Sequence, residues 1–151
     1  MINKKIIAVS SIGGHWIQLL RLTPAFTDCQ VEFITTNKNF ASMVEGYKFY
    51  HVEEGSRKNL KGLLKCYRNI FKILKDSSPD VIITTGAAPG LMAIIAGTVL
   101  RKKTIWIDSI ANCEKLSMSG TLAGFFTANV YTQWKHLATK KVKYNGNVLG
   151  A

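Results

Sequence analysis

The stretch that decides the fold spans residues 5–19 and reads KIIAVSSIGGHWIQL. Its first half, residues 5–10, is almost continuously apolar, which is typical of a parallel strand buried on both faces. From Trp16 onward the apolar residues have helical spacing. A turn with two adjacent glycines and a histidine joins the two halves: Gly13, Gly14 and His15. This order of strand, glycine turn and helix predicts the first unit of a parallel α/β sheet.

Short apolar runs and amphipathic segments continue to alternate along the rest of the chain. Strands are expected at residues 5–10, 31–36, 49–53, 80–85, 104–108, 129–134 and 143–145, and helices at residues 16–26, 40–45, 60–75, 89–100 and 116–126. This pattern predicts an α/β fold with one doubly wound, parallel, Rossmann-like sheet, formed by a single domain over residues 1–151. Ligands of such sheets bind beyond the carboxyl ends of the strands, near the point where the strand order reverses.

The clearest helix covers residues 60–75 and carries two stripes. Large apolar residues recur every three or four positions on one face. Burying each contributes roughly 1.5–3 kcal/mol, so this face is expected in the core. Basic residues with the same spacing form a second stripe, which is expected outside: Lys61, Lys65, Arg68 and Lys72. These four are candidates for contact with an anionic membrane surface, and a solvated helix face is the alternative.

The chain carries a large positive surplus, because 20 Lys and Arg residues against 9 Asp and Glu residues give a formal net charge of +11. Such a surplus favours an anionic partner. The charge alone leaves that partner open among nucleic acid, anionic lipid and a phosphorylated substrate. The basic stripe is not interleaved with aromatic residues and no nucleic-acid-binding motif is present, so nucleic acid is not expected as a partner.

Three cysteines, Cys29, Cys66 and Cys113, have no paired short spacing. This argues against disulfides or a zinc site and favours a reducing compartment. The histidines also lack metal-ligand spacing, and neither a metal nor a cofactor is expected. No signal-peptide pattern precedes the first turn, and the longest apolar stretch, residues 91–100, is far shorter than the roughly 20 residues of a spanning helix. The sequence therefore predicts a cytoplasmic protein.

The loop before the first helix has the composition of an anion-binding site. Gly13 and Gly14 permit positive φ and a close approach of an anion to the main chain, and Ser10 and Ser11 add hydroxyl donors. His15 falls in the first turn of the helix, where the dipole disfavours the imidazolium, so a neutral ring is available as a general base. A tight turn with a capping histidine explains the same residues equally well.

Two further positions at strand ends are candidates for the same cleft. Gly86 follows the fourth strand in a second glycine-bearing turn, suited to form the opposite wall, although a close-packed turn is the simpler explanation. Asp108 ends the fifth strand, where its carboxylate would orient a sugar hydroxyl or His15. Hydrogen bonding within its own loop is equally compatible with the pattern. The first loop is not GxGxxG, and no acidic residue marks the end of the second strand, which argues against a dinucleotide site.

Four ordered motifs resemble those of a known family. They are SSIGGH followed by Gln18 and Leu19, PDVIITTG at residues 79–86, WIDSIA and LSMSG within residues 106–120, and VYTQW at residues 130–134. Together they make the chain similar to the membrane-associated subunit of the split UDP-N-acetylglucosamine transferase of N-glycan assembly. It is even more similar to the bacterial relatives of that subunit in capsule and exopolysaccharide synthesis. The resemblance spans nearly the whole chain.

The resemblance implies the acceptor-side, N-terminal half of a GT-B glycosyltransferase. In that family a separate catalytic subunit binds the UDP-sugar, while the related chain binds the lipid-diphosphate-linked sugar acceptor and recruits or activates that partner. Gly13, Gly14 and His15 match the family motif, which implies that this loop faces the diphosphate or the acceptor hydroxyl. Asp108 stands where the family often has glutamate, and Ile12 replaces a small residue. Because bacterial members are often described as enhancers or anchors, a non-catalytic membrane scaffold is the alternative function.

The resemblance also implies a peripheral association with the inner face of the cell membrane, since the N-terminal anchor of the eukaryotic member is not expected in this chain. The apolar segment at residues 116–126 has three interpretations: core, an interface with the catalytic partner, or an interfacial membrane segment. The core is favoured, because apolar helices of this length are common inside α/β domains.

Overall fold

Seven strands form one sheet in the computed structural model, which describes residues 3–55 and 58–150. The strands are β1 (Lys5–Ser10), β2 (Gln30–Thr35), β3 (Lys48–His51), β4 (Val81–Thr84), β5 (Lys103–Ile107), β6 (Val130–Thr132) and β7 (Val142–Tyr144). Neighbouring strands are all parallel, in the order β3-β2-β1-β4-β5-β6-β7. The doubly wound parallel sheet expected from the sequence is confirmed, and the strand order reverses between β1 and β4.

In the described part of the chain, four α-helices cover the sheet: α1 (Gly14–Leu20), α2 (Leu60–Ser77), α3 (Ala87–Val99) and α4 (Met118–Ala123). Short 3₁₀ helices occupy Thr23–Phe26, Lys38–Val44 and Lys135–Leu137. The packing clusters place α1 on one face of the sheet and α2, α3 and α4 on the other. This follows from right-handed crossovers that run in opposite directions from the centre of the sheet.

The first helix is shorter than the expected span of residues 16–26. Pro24 has no amide hydrogen for the carbonyl of Leu20, four positions earlier, so an α-helix cannot continue intact past this point. The hydroxyl of Thr23 donates to that Leu20 carbonyl instead, at 2.6 Å. The chain then continues as the 3₁₀ helix Thr23–Phe26.

Two other helix starts differ from the sequence expectation. The third helix begins two residues before Pro89, which is tolerated there because the first-turn amides of any helix lack intrahelical partners. The helix expected at residues 116–126 covers only Met118–Ala123. Its start is set by Ser117, whose Oγ accepts a hydrogen bond from the amide of Gly120 at 2.8 Å.

The basic stripe of α2 is exposed as expected, but the apolar stripe is buried only in part, because Leu60 and Leu64 in the first half of the helix are 75% and 51% exposed. Cys66, Ile70 and Leu74 are fully buried and pack in one cluster with Ile7 and Ile82 of the sheet. Burial raises the pKa of the Cys66 thiol to about 11, so this cysteine is a small apolar core residue. All three cysteines of the chain are free thiols.

On the opposite face, Trp16 anchors the start of α1. Its indole is fully buried. It stacks on Phe40 with ring centroids 5.3 Å apart and meets Phe33 edge to face at 5.7 Å. Aromatic pairs in these arrangements contribute about 0.5–1.5 kcal/mol beyond their area burial. His15 directly precedes Trp16 in the chain. The packing of the Trp16 indole therefore also fixes the backbone position of His15.

Glu32 is a buried carboxylate that ties three strands to α2. It lies 2.9 Å from Nζ of Lys5 and accepts hydrogen bonds from Oγ of Ser77 at 2.7 Å and from the hydroxyl of Tyr50 at 3.1 Å. Burial by itself raises the pKa of the Glu32 carboxyl, but the hydrogen bonds from Ser77, Lys5 and Tyr50 and the charge of Lys5 leave it below its usual value. The carboxylate therefore stays ionised inside the fold.

A candidate active-site cleft at the switch point

Two glycine-bearing loops meet where the strand order reverses. The first follows β1 and ends at Gly13, which caps α1 with φ of +77°. Only glycine adopts that backbone region without strain. Gly13 and Gly14 are exposed, and a Cβ added to either would meet no atom within 4 Å. The second loop follows β4 and contains Thr85 and Gly86. The switch point is where the sequence predicted a ligand.

His15 is held between the two loops by a reciprocal pair of hydrogen bonds. Its ring Nδ1 lies 2.8 Å from the carbonyl oxygen of Thr85, and the Thr85 hydroxyl donates to the carbonyl oxygen of His15 at 2.6 Å. A carbonyl oxygen only accepts hydrogen bonds, so Nδ1 carries the hydrogen of this contact. In the neutral ring, Nε2 then keeps its lone pair and is the atom able to accept a proton.

The half-exposed ring of His15 lies against Gly86. A Cβ added at Gly86 would come within 2.8 Å of both Nδ1 and Cε1 of the imidazole. Gly86 also has φ of +129°, and its amide donates to Oγ1 of Thr84 at 3.1 Å. Sterics and backbone conformation both require glycine here. The two loops proposed from the sequence to form opposite walls are thus brought into contact through His15 and Gly86.

The two serines of the first loop do not line this cleft with their side chains. Ser10 is fully buried, and its Oγ has no hydrogen-bond partner among the described residues. Ser11 is 5% exposed, and its Oγ donates weakly to the carbonyl of Ile12 at 3.4 Å. The hydroxyl donors expected from the sequence therefore lie beneath the loop, and the open polar surface consists of the backbone around Gly13 and Gly14.

Asp108 is a loop-organising carboxylate. It is 1% exposed and accepts hydrogen bonds from Nε1 of Trp106 at 2.9 Å, from Nδ2 of Asn112 at 3.1 Å, from the amide of Ser117 at 2.9 Å and from the Ser117 hydroxyl. A Cβ at Gly120 would lie 2.8 Å from its Oδ1, so α4 closes over it. Of the two roles left open by the sequence, the structure favours hydrogen bonding within its own loop over orientation of a sugar hydroxyl or His15.

The segment after β5 is held by hydrogen bonds to Gln18 and Trp134, two residues for which the sequence predicted no function. Gln18 of α1 accepts from the amide of Ile110 at 2.9 Å and donates to the carbonyl of Asp108 at 3.1 Å. Trp134 donates to the Ile110 carbonyl at 2.8 Å. In the sequence, the position of Gln18 on the apolar side of a short helix is the signal that could have indicated this contact. A buried side-chain amide needs polar partners.

No group of three or more His, Cys, Asp or Glu side chains within residues 3–55 and 58–150 is arranged to hold a metal ion. Nor does any helix of that part of the chain combine the length and the apolar character needed to cross a bilayer. The four membrane-contact candidates on α2 are all exposed: Lys61, Lys65, Arg68 and Lys72. One of them is engaged, because Nζ of Lys65 lies 2.6 Å from Oε1 of Glu53.

The apolar segment at residues 116–126 is not simply core. Gly120 and Ala123 are buried, but Leu122 and Phe126 are each 41% exposed and Phe125 is 79% exposed. The core expectation is wrong for these three side chains, because α4 buries only the face with Gly120 and Ala123, and Phe125 and Phe126 follow the end of the helix. Its start is pinned over Asp108 through Gly120, and the chain leaves the helix at Gly124 with the two phenylalanines outward.

The chain matches a family model over residues 37–148, described as "Oligosaccharide biosynthesis protein Alg14 like". Curated relatives carry the name UDP-N-acetylglucosamine–N-acetylmuramyl-(pentapeptide) pyrophosphoryl-undecaprenol N-acetylglucosamine transferase. The protein of Fusobacterium nucleatum is 39% identical over 109 residues, covering 67% of this chain and 30% of the relative. That of Chlamydia muridarum is 28% identical over 114 residues, covering 68% and 32%. The chain thus spans about a third of the length of these relatives.

Solved structures show the same fold at low sequence identity. MurG of Acinetobacter baumannii superposes with a TM-score of 0.77 at 14% identity, over 94% of this chain and 45% of that one. The UDP-N-acetylglucosamine 2-epimerase of Rickettsia bellii gives a TM-score of 0.75 at 12% identity, over 97% and 46%. The sheet therefore corresponds to one Rossmann-like half of these larger proteins. On the family match, this chain belongs to the Alg14-like family of oligosaccharide biosynthesis proteins.

Proposed function

We propose that this chain is the acceptor-binding subunit of a two-component glycosyltransferase of polysaccharide biosynthesis, and that residues 1–151 act as its acceptor-side half. The curated relatives are named as transferases that use UDP-N-acetylglucosamine and a pyrophosphoryl-undecaprenol-linked acceptor. This chain matches under a third of their length and under half of MurG. In this proposal a separate catalytic subunit binds the UDP-sugar. Capsule or exopolysaccharide synthesis is the setting that the resemblance suggests.

The orientation of His15 is the observation that carries this proposal. With Nδ1 donating to Thr85, Nε2 accepts the proton of the acceptor sugar hydroxyl as its oxygen attacks the anomeric carbon of the donor. The bond from that carbon to the UDP phosphate oxygen breaks, and UDP leaves with the electron pair. Positioned general bases contribute about 10²–10⁴-fold in rate. The exposed backbone at Gly13 and Gly14 lies next to this ring and receives the acceptor diphosphate.

Membrane association is the second component of the proposal. The acceptor is lipid-linked, so the subunit works at a bilayer, on the inner face of the cell membrane. The exposed cations of α2 face anionic headgroups, and each cation near such a surface contributes about 1 kcal/mol. The same observation favours a second candidate function, in which the chain is a non-catalytic scaffold or enhancer that recruits the transferase to the membrane.

Reconstitution distinguishes these functions. The purified chain, its UDP-sugar-binding partner and the mixture are each assayed for sugar transfer from UDP-sugars to a lipid-diphosphate acceptor. We expect transfer by the mixture alone. In the mixture, His15→Ala lowers turnover about 100-fold or more without loss of the complex, while His51→Ala, at an exposed histidine, is the matched control. Transfer by the purified chain contradicts the two-component version. Full turnover of His15→Ala favours the scaffold.

A further inference from the structure

The sheet is left partly uncovered on the side that carries α2, α3 and α4. The last α-helix, α4, packs on α3 and β5, and beyond it the short 3₁₀ helix Lys135–Leu137 contacts β7. A groove of about 790 Å³ lies beside α4. Val130 and Val142 form its floor, and Leu116, Phe125 and Phe126 form its apolar wall.

Large apolar side chains are exposed at the outer end of this groove. Phe125 is 79% exposed, and Phe126 and Leu122 are each 41% exposed. The Thr98 hydroxyl donates to the carbonyl of Phe126 at 3.1 Å, which ties the end of α3 to this segment. Single exposed apolar residues are ordinary on a protein surface, but two consecutive exposed phenylalanines beside an apolar groove favour an interaction site.

The rim of the groove is cationic. Lys140, Lys141 and Lys143 line it, and no acidic side chain is among the described residues that do so. Lys143 is engaged with Oδ1 of Asn129 at 3.0 Å and with the ring of Tyr131 at 5.5 Å. Lys140 and Lys141 form no ion pair with any described residue, so their charges are available to an anionic partner.

We infer that this patch docks on an anionic lipid bilayer, with Phe125 and Phe126 in the headgroup–acyl boundary and Lys140 and Lys141 on lipid phosphates. Apolar rings beside lysines are the composition of interfacial membrane segments, because the long lysine stem spans the apolar layer while its ammonium stays with the phosphates. Protein–protein interfaces are instead depleted in lysine relative to the rest of the protein surface.

The position of the patch in the fold also favours a membrane over a protein partner. The chain runs through α4 from the carboxyl end of β5 to the amino end of β6, so Phe125 and Phe126 lie at the opposite edge of the sheet from His15. A donor-binding subunit that completes the cleft does not need this edge. In contrast, α2 lies on the same side of the sheet as α4, so its exposed basic stripe and this patch belong to the same helical layer. The inference extends the proposed function but does not depend on sugar transfer.

Vesicle sedimentation tests the inference on the intact chain. Vesicles of phosphatidylglycerol mixed with phosphatidylcholine are compared with pure phosphatidylcholine. We expect binding to the anionic vesicles, with a partition coefficient reduced about tenfold or more by Lys140→Glu with Lys141→Glu, and similarly by Phe125→Ser with Phe126→Ser. The matched controls lie on the opposite face: Lys38→Glu and Ile17→Ser, which leave binding within about twofold. Circular dichroism confirms that each variant is folded.

Depth measurement separates insertion from simple charge attraction. The fluorescence of Phe125→Trp is expected to be quenched by lipids brominated in their acyl chains, while Ile17→Trp behaves like the parent protein. Unchanged vesicle binding in both double variants overturns the inference, as does binding without quenching at position 125. Unchanged vesicle binding with loss of the complex with the UDP-sugar-binding subunit also overturns it and assigns the patch to that subunit. None of these readouts measures sugar transfer. They therefore test the membrane-docking inference even if the chain takes no part in sugar transfer.

Discussion

Two loops at the carboxyl edge of the same sheet use their polar side chains in opposite ways. After β1, His15 uses one ring nitrogen in a hydrogen bond to the Thr85 carbonyl, and this bond leaves its second ring nitrogen available. After β5, both carboxylate oxygens of Asp108 accept hydrogen bonds from residues of its own loop and from Trp106. The first is half-exposed and the second is 1% exposed. A titratable residue at a strand end is a candidate for chemistry only when part of its bonding capacity is left unused.

Asp108→Ala is expected to have the largest effect on stability. It leaves the donors of Trp106, Asn112 and Ser117 without their acceptor, at a cost of about 1–3 kcal/mol for each donor that stays buried. We expect a loss of about 3–5 kcal/mol in the free energy of unfolding, measured by urea denaturation. Asp28→Ala, at an exposed aspartate, is the control and changes it by less than about 0.5 kcal/mol. A loss of less than about 0.5 kcal/mol for Asp108→Ala as well contradicts the structural role given to the Asp108 hydrogen bonds.

Gly86→Ala tests the other loop. The new methyl group displaces the imidazole of His15, and a misplacement of about 1 Å at a reacting group costs about 100-fold in rate. Turnover of the reconstituted pair is the first readout. The second is the ¹⁵N shift of the His15 ring in the isolated chain, which reports the Nδ1–H tautomer in the parent protein and its loss in the variant. Gly14→Ala, where a Cβ meets open space, is the control. An unchanged ¹⁵N spectrum refutes the steric argument.

Thr85→Val tests the hydrogen bond from the Thr85 hydroxyl to the His15 carbonyl separately from the bond to the His15 ring. It removes the hydroxyl that donates to the His15 carbonyl but keeps the Thr85 carbonyl that accepts from Nδ1. We expect a stability loss of about 1 kcal/mol and a fall in turnover of less than about tenfold. The Nδ1–H tautomer should persist in the ¹⁵N spectrum. Loss of that tautomer shows that the hydroxyl, and not the carbonyl, orients the ring.

Glu32 extends the comparison to a carboxylate that pairs with a charge. Its pKa is lowered in the folded state, so ionised Glu32 stabilises the fold above its unfolded pKa, and that contribution is lost as the pH falls through the folded pKa. Unfolding free energies of the parent protein and Glu32→Gln, measured from neutral pH down to about pH 3, are therefore expected to converge at the acid end. A difference that is independent of pH contradicts the role of the charge.

The smallest effects are expected on the exposed face of α2. Lys61→Glu, Arg68→Glu or Lys72→Glu alone is expected to weaken binding to anionic vesicles by about fivefold or more, because each lost cation contributes about 1 kcal/mol and the new carboxylate is repelled. Lys65→Glu should change it less, because Lys65 is already paired with Glu53. Equal losses at all four positions show that this pair does not form at the membrane surface.

Much of the sheet was readable from short-range pattern. The continuous apolar run at residues 5–10 and the strand-helix alternation after it predict a parallel, doubly wound sheet, because strands covered on both faces leave no polar alternation. Gly13 and Gly86 were recognised as turn positions for the same local reason. The lengths of α1 and α4 were not recognised, since Pro24 acts by removing one backbone donor and Ser117 by a single capping hydrogen bond at a helix end.

The sequence by itself determined the architecture, the glycine turns, the exposed basic stripe of α2 and the family, because each depends on residue type and spacing along the chain. Only the tertiary structure decided which polar groups are free. Thr85 lies 70 positions from His15, and Asn112 and Ser117 fold back on Asp108, so the bonding of these residues depends on how distant loops meet. Burial and hydrogen-bond partners are properties of three-dimensional neighbours, and they separate a candidate base from a structural carboxylate.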